Sequence, residues 1–150
     1  MPASTMQDMY DYALTFFDLP YIWGGDGLCP DKRQKGYDCS GLVQVLLAYG
    51  NQDPKGDQNA DSLYRHFLRE GLLNTYGLGA LAFFGSHEHV THIGWCLDKR
   101  VMINASGGGS QVKTTAAAKR FNASVKIEPI HWRKNFVAVI MPQYWLAGIV

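Results

Sequence analysis

The strongest constraint on this chain is a change of hydrophobic period near its middle. Up to about Glu70 the apolar residues recur at helical spacing, and from Leu81 onward they form short β-type runs divided by turns. Thr5 to Phe17 sets Met9, Tyr12, Ala13 and Phe16 on one face, with Ser4 or Thr5 as N-cap and Asp8 in the first turn. A second helix begins near Cys39, with Asp38 as cap, Leu42, Val43, Leu46 and Leu47 as its apolar face and Gly50 as its stop. A third runs from about Asp61 to Glu70 and closes at Gly71. Downstream, "ALAFF" ending at Gly85, Val90–Leu97, Arg100–Ser106, "SVKIEPIHW" and "FVAVIMP" read as strands, with a short helix over "TTAAAKRF". Helices first and strands second, with tight turns between the strands, predict an α+β fold. The expected sheet is antiparallel, of about five or six strands, packed against N-terminal helices.

Length and composition narrow the function classes. A chain of 150 residues without repeat, linker or low-complexity tract fits one domain over 1–150. The formal net charge is +1, from 14 basic and 13 acidic residues without a basic patch, which argues against a nucleic-acid partner. No stretch approaches the length of a transmembrane helix, so no membrane partner is expected. The segment "MPASTMQDMYDYAL" has acids where a signal peptide would start basic and turn apolar. The odd count of three cysteines disfavours a disulfide framework, leaving one Cys29–Cys96 bridge open.

Cys39 sits on a first helical turn, where free N–H groups and the macrodipole favour an anion. Its pKa is therefore expected to fall, unless the Asp38 charge opposes it. Gly41 removes a side chain beside the thiol and is expected to let a substrate backbone approach. The stretch itself leaves a small buried hydrophobe and a nucleophile both open.

A nucleophile needs a base, and the base an orienter. Of the five histidines, His66 belongs to an amphipathic helix, His87 and His89 to a loop, and His131 to a strand as a core histidine. His92 is best placed, early in a strong strand. If Cys96 pairs with Arg100 across a three-residue turn, Asn104 falls directly opposite His92, with Cβ atoms roughly 5 Å apart. A turn one residue shorter throws Asn104 to the other face. Metal is the rival reading of "HEHVTHIGWC". His92 and Cys96 are roughly 13 Å apart on a straight strand, however, and no C-x-x-C pair is present. No metal and no cofactor are expected.

Several motifs then occur in a telling order: "YIWGG" at Tyr21–Gly25, "DCSGLVQ" at Asp38–Gln44, "FFG" at Phe83–Gly85, "THIGWCL" at Thr91–Leu97 and "MINASGGG" at Met102–Gly109. Together they resemble the NlpC/P60 family of papain-like cysteine peptidases, which cut bacterial cell-wall peptides. The resemblance covers about Tyr10 to Pro142. It implies Cys39 as nucleophile, His92 as general base and Asn104 as the third polar residue, which is histidine in many members. It implies Tyr21 near the nucleophile, binding the oxyanion, with an aromatic core residue as the alternative. Trp23, Asp38 and Ser40 are the remaining oxyanion or substrate-binding candidates.

Two departures stand out. Ala80 replaces the acid of the "GDLVFF" pattern and reads as a loop variation. The Gly25–Tyr37 loop is expected to border the cleft. The implied reaction is hydrolysis of a peptidoglycan stem peptide, commonly between D-glutamate and a diamino acid. An N-acetylmuramoyl-L-alanine amidase or an acyltransferase would share the chemistry. A non-catalytic peptide-binding or phage-tail module is disfavoured by the intact Cys39, His92 and Asn104 set. The expected partner is the peptide substrate of a monomer, delivered to the wall by a phage or a secretion system.

Overall fold

A computed structural model describes residues 2–25 and 36–150. Three helices come first: α1 (Met6–Leu14), α2 (Cys39–Tyr49) and α3 (Ala60–Glu70). They precede the strands β1 (Leu72–Leu73), β2 (Leu81–Gly85), β3 (Val90–Cys96) and β4 (Val101–Ser106). Helix α4 (Thr115–Arg120), β5 (Ser124–Pro129) and β6 (Phe136–Met141) complete the order. The change of period is thus a change of element type, and the α+β expectation holds.

Local chemistry sets the helix starts. Thr5 and Asp8 form a capping box on α1, Asp38 caps α2, and Asn59 with Ser62 forms a capping box on α3. Helix α1 stops at Leu14 rather than Phe17, because the chain turns out through Thr15–Asp18 with φ +70° at Asp18. Gly50 caps α2 at its C-terminus, as expected.

The strands form one antiparallel sheet ordered β1-β6-β2-β3-β4-β5. Strand β1 was not visible in the pattern: two exposed leucines carry no alternation, and β1 exists only by pairing with Ile140 and Met141 of β6. The sheet is buried on both faces. Leu81, Phe83, Ile93, Trp95, Ile103 and Ile140 join the main core with the helices, whereas Ala82, Phe84, Cys96, Met102 and Val139 join a second cluster with Ile130. This is why β2 reads as an unbroken apolar run.

One expectation is sharpened here and one is corrected. Ala80 stands in the loop just before β2 yet is fully buried in the second cluster, where an acid would lack water. His131 is not a core strand residue, because Pro129 ends β5 and a 3-10 turn (Ile130–Trp132) carries His131 at the surface, its Nε2 3.0 Å from the Tyr76 hydroxyl. Cys96 is a free buried thiol. Cys29 and most of the Gly25–Tyr37 loop lie outside the described residues. Among those residues, no helix is long and apolar enough to cross a membrane.

Candidate active site

The start of α2 is held rigidly. Asp38 Oδ1 accepts the Gly41 N–H at 2.7 Å and the Ser40 hydroxyl at 3.3 Å, so its carboxylate is spent on the cap. Gly41 serves the protein's own backbone rather than a substrate. A methyl group there would strike the Gly25 carbonyl, and Gly25 O also accepts the Asp38 N–H at 2.9 Å. The Ile22–Gly25 turn is thereby clamped against the start of the helix that carries Cys39.

The Cys39 sulfur takes backbone hydrogen bonds from Ser40 and Ile93. They do not lower its pKa overall, contrary to the expectation for a helix start. Burial pushes the thiol up to about 11, the Asp38 charge adds to this, and the hydrogen bonds and the Arg133 charge only partly oppose it. Desolvation wins because a thiolate in this pocket would exchange a full water shell for a few fixed donors. The resting group is therefore a thiol.

His92 and Asn104 are both buried and in direct contact, with His92 Nε2 2.7 Å from Asn104 Oδ1. The orientation of Asn104 follows from its other bonds. Its Nδ2 donates to the Lys126 carbonyl at 3.2 Å and to Glu128 Oε1 at 3.0 Å, which uses both amide hydrogens. Oδ1 must then accept from Nε2–H, and the lone pair of the neutral ring is left on Nδ1. Burial, and secondarily the Arg133 charge, hold the imidazole down at about 3, with the Asn104 bond opposing them. The ring is neutral at physiological pH.

The His92–Asn104 contact arises in a register other than the expected one. Trp95 pairs with Ile103 and Cys96 with Met102, so the partner of Cys96 lies two residues beyond Arg100 and the turn is displaced by one residue. Leu97 and Val101 flank it, and Asp98 Oδ1 accepts the Arg100 and Val101 N–H groups inside it. Continuing the register sets Asn104 opposite Gly94 rather than His92. The even shift preserves the face, and the two side chains meet on the diagonal, within reach of long side chains. Gly94 leaves that diagonal open, since a Cβ there would meet the Met102 sulfur and come within 3.3 Å of Asn104 Cβ.

One cleft brings the predicted residues together. Its walls include Cys39, His92, Tyr21, Trp23, Asp38 and Ser40, together with the Ser106–Gly109 loop. Asn104 lies behind His92, wholly covered. Tyr21 is buried to 6% exposure, and burial raises its phenol well above the usual range, with the Cys39 and Asp38 charges adding, so it stays a donor. Trp23 is 50% exposed and forms an open apolar wall.

Three residues of the site were not anticipated. Glu128 fixes the Asn104 amide from β5, and Arg133 and His89 line the cleft. The alternation of "SVKIEP" puts Glu128 on the same strand face as Lys126, the pairing partner of Asn104. No sequence signal marks Arg133, which arrives through the 3-10 turn after β5. Of the proposed metal histidines, His87 uses Nδ1 on the Tyr64 hydroxyl at 2.7 Å. Among the described residues no cluster of three potential ligands forms.

A thiol on a capped helix start, a buried imidazole–amide pair on adjacent antiparallel strands, and helices packed on one sheet face define a papain-like α+β domain. Residues 18–139 match the NlpC/P60 family, and the chain belongs to it. The chain is 29% identical over 118 residues to the bifunctional muramidase/DL-endopeptidase CwlT of Bacillus subtilis (strain 168), covering 73% of this chain and 33% of that protein. It thus spans about a third of that relative's length. The fold is also that of the NlpC/p60 domain of the peptidoglycan hydrolase SagA, with TM-score 0.60, 20% identity, and coverage of 91% of this chain and 97% of that one. NlpC1 from Trichomonas vaginalis superposes with TM-score 0.64 at 21% identity, over 95% of this chain and 45% of that one.

Proposed function

We propose that this protein is a cysteine endopeptidase that hydrolyses peptidoglycan stem peptides, at the bond between D-glutamate and a diamino acid. The observation that carries the proposal is the 2.7 Å bond from His92 to Asn104, which leaves the unprotonated lone pair on Nδ1 of a ring that shares its cleft with Cys39. Membership of the NlpC/P60 family and the endopeptidase named in the Bacillus relative supply the substrate class.

The starting pair is neutral. As the Cys39 sulfur bonds to the scissile carbonyl carbon, its proton passes to His92 Nδ1. The imidazolium is stabilised by Asn104 at Nε2 and discharges at once by protonating the leaving amine as the C–N bond breaks. A water then attacks the thioester, gives one proton to Nδ1, and the thiol departs with that proton. The oxyanion is met by the Cys39 backbone N–H and by the Tyr21 hydroxyl. Trp23, Asp38 and Ser40 border the acyl side.

The test is digestion of peptidoglycans of defined stem peptide, with products identified by mass spectrometry. New D-glutamyl and diamino-acid ends that vanish with Cys39→Ala are expected. Products ending at muramic acid and L-alanine would reassign the enzyme as an amidase, and no products from any wall type would refute catalysis.

A further inference from the structure

Arg133 is the feature of the cleft that the hydrolytic machinery leaves unexplained. Its guanidinium lines the same cleft as Cys39 and His92. Nη2 donates to the Ser106 hydroxyl at 3.0 Å, and Cζ lies 5.7 Å from the centroid of Phe84. The His92 ring packs on that same Phe84, with its centroid also 5.7 Å away. The cation and the imidazole therefore share one aromatic floor.

The guanidinium is held but not neutralised. Among the described residues its buried Nε has no hydrogen-bond partner and no carboxylate pairs with it. The two acids that line the cleft among the described residues are engaged elsewhere. Asp38 caps α2, and Asp61 Oδ1 accepts from the Val90 N–H at 2.9 Å and from Arg65 at 3.3 Å. A partly desolvated guanidinium with a free donor is costly unless something anionic completes it, and its planar fork suits a carboxylate.

We infer that Arg133 is a specificity residue that binds a free carboxylate of the substrate, namely the α-carboxylate of the γ-linked D-glutamate whose side-chain carbonyl Cys39 attacks. This rests on the endopeptidase reading above. In a γ-linked glutamate the α-carboxylate hangs a short alkyl chain from the scissile carbonyl, which matches a cation beside the catalytic pair rather than on it. An α-carboxamide keeps one carbonyl acceptor but loses the negative charge and the second acceptor oxygen of the carboxylate, so the enzyme discriminates the acid from the amide.

The test compares stem tripeptides with γ-linked D-glutamate as free acid or as α-amide. The wild type is expected to favour the acid in kcat/KM by on the order of 10- to 100-fold, mainly through KM, the range of a charge-assisted hydrogen bond. Arg133→Gln brings the ratio towards one, and Arg133→Lys restores part of it. A wild-type ratio near one refutes the inference. So does a proportional loss on both peptides in Arg133→Gln, which would make the guanidinium an electrostatic support for Cys39.

Calorimetric binding of the two peptides to the Cys39→Ala protein needs no Arg133 variant and no turnover. Tighter binding of the acid supports the carboxylate site, and equal binding overturns it alone. Failure of the wild type to hydrolyse either peptide instead overturns the endopeptidase reading.

Discussion

His92 makes the protein's stability depend on acid in a way that can be calculated. Its imidazole titrates at about 3 in the folded protein and at its ordinary 6.5 in the unfolded chain. Between these values the unfolded chain binds a proton that the folded protein refuses, so stability falls as pH falls and is fully present only above the unfolded value. Each pH unit in the window costs up to about 1.4 kcal/mol. Between pH 6.5 and 4.5 the loss from this one group is about 2 kcal/mol, or roughly 4–8 °C in Tm for a domain of this size. The control is His92→Gln, whose amide can still donate to Asn104 but does not titrate. Thermal unfolding of both proteins by circular dichroism across pH 7 to 4 should show the wild-type Tm falling more steeply by that amount. Parallel curves would refute the reasoning. So would an NMR titration placing the His92 ring near 6.5, because the neutral buried imidazole would then be wrong.

Three further outcomes follow from the same geometry. Cys39 alkylation by iodoacetamide should accelerate only at alkaline pH, towards about 11; a reactive plateau at pH 5–7 would mean a preformed thiolate–imidazolium pair. Asn104→Ala should lower kcat about 10- to 100-fold with KM little changed, because it frees the ring, and Glu128→Gln, which keeps an acceptor for Nδ2, should cost much less; equal losses would discount the Nδ2–Glu128 bond as the amide's anchor. Asp38→Ala should destabilise the fold by about 1 kcal/mol in urea unfolding through loss of the α2 cap, whereas an unchanged midpoint would show that the tertiary clamp alone holds the turn.

Much was determined by the sequence alone. Caps, periodicity and turn residues act within a few residues, so Thr5, Asp38 and Gly50 placed the helix ends, and the order of elements set the fold class. The "DCSG" and "HIG" motifs picked out the thiol and the imidazole that now line one cleft. The face of Asn104 was also legible, because side-chain alternation depends only on parity.

What tertiary structure decided lies at longer range. The β3–β4 turn fell one residue from its predicted place, which moves every pairing partner by two, because Asp98 bonds two backbone N–H groups inside it, a local choice the strand pattern does not encode. The protonation state of Cys39 was decided by burial, which a helix start cannot report. Glu128 and Arg133 arrive from β5 and the turn beyond it, set beside the site by pairing across a sheet whose register no short window contains. The helix start at Cys39 could therefore be read from its own neighbours. The company that decides its charge could not, because desolvation and Coulomb terms depend on distance through space rather than along the chain.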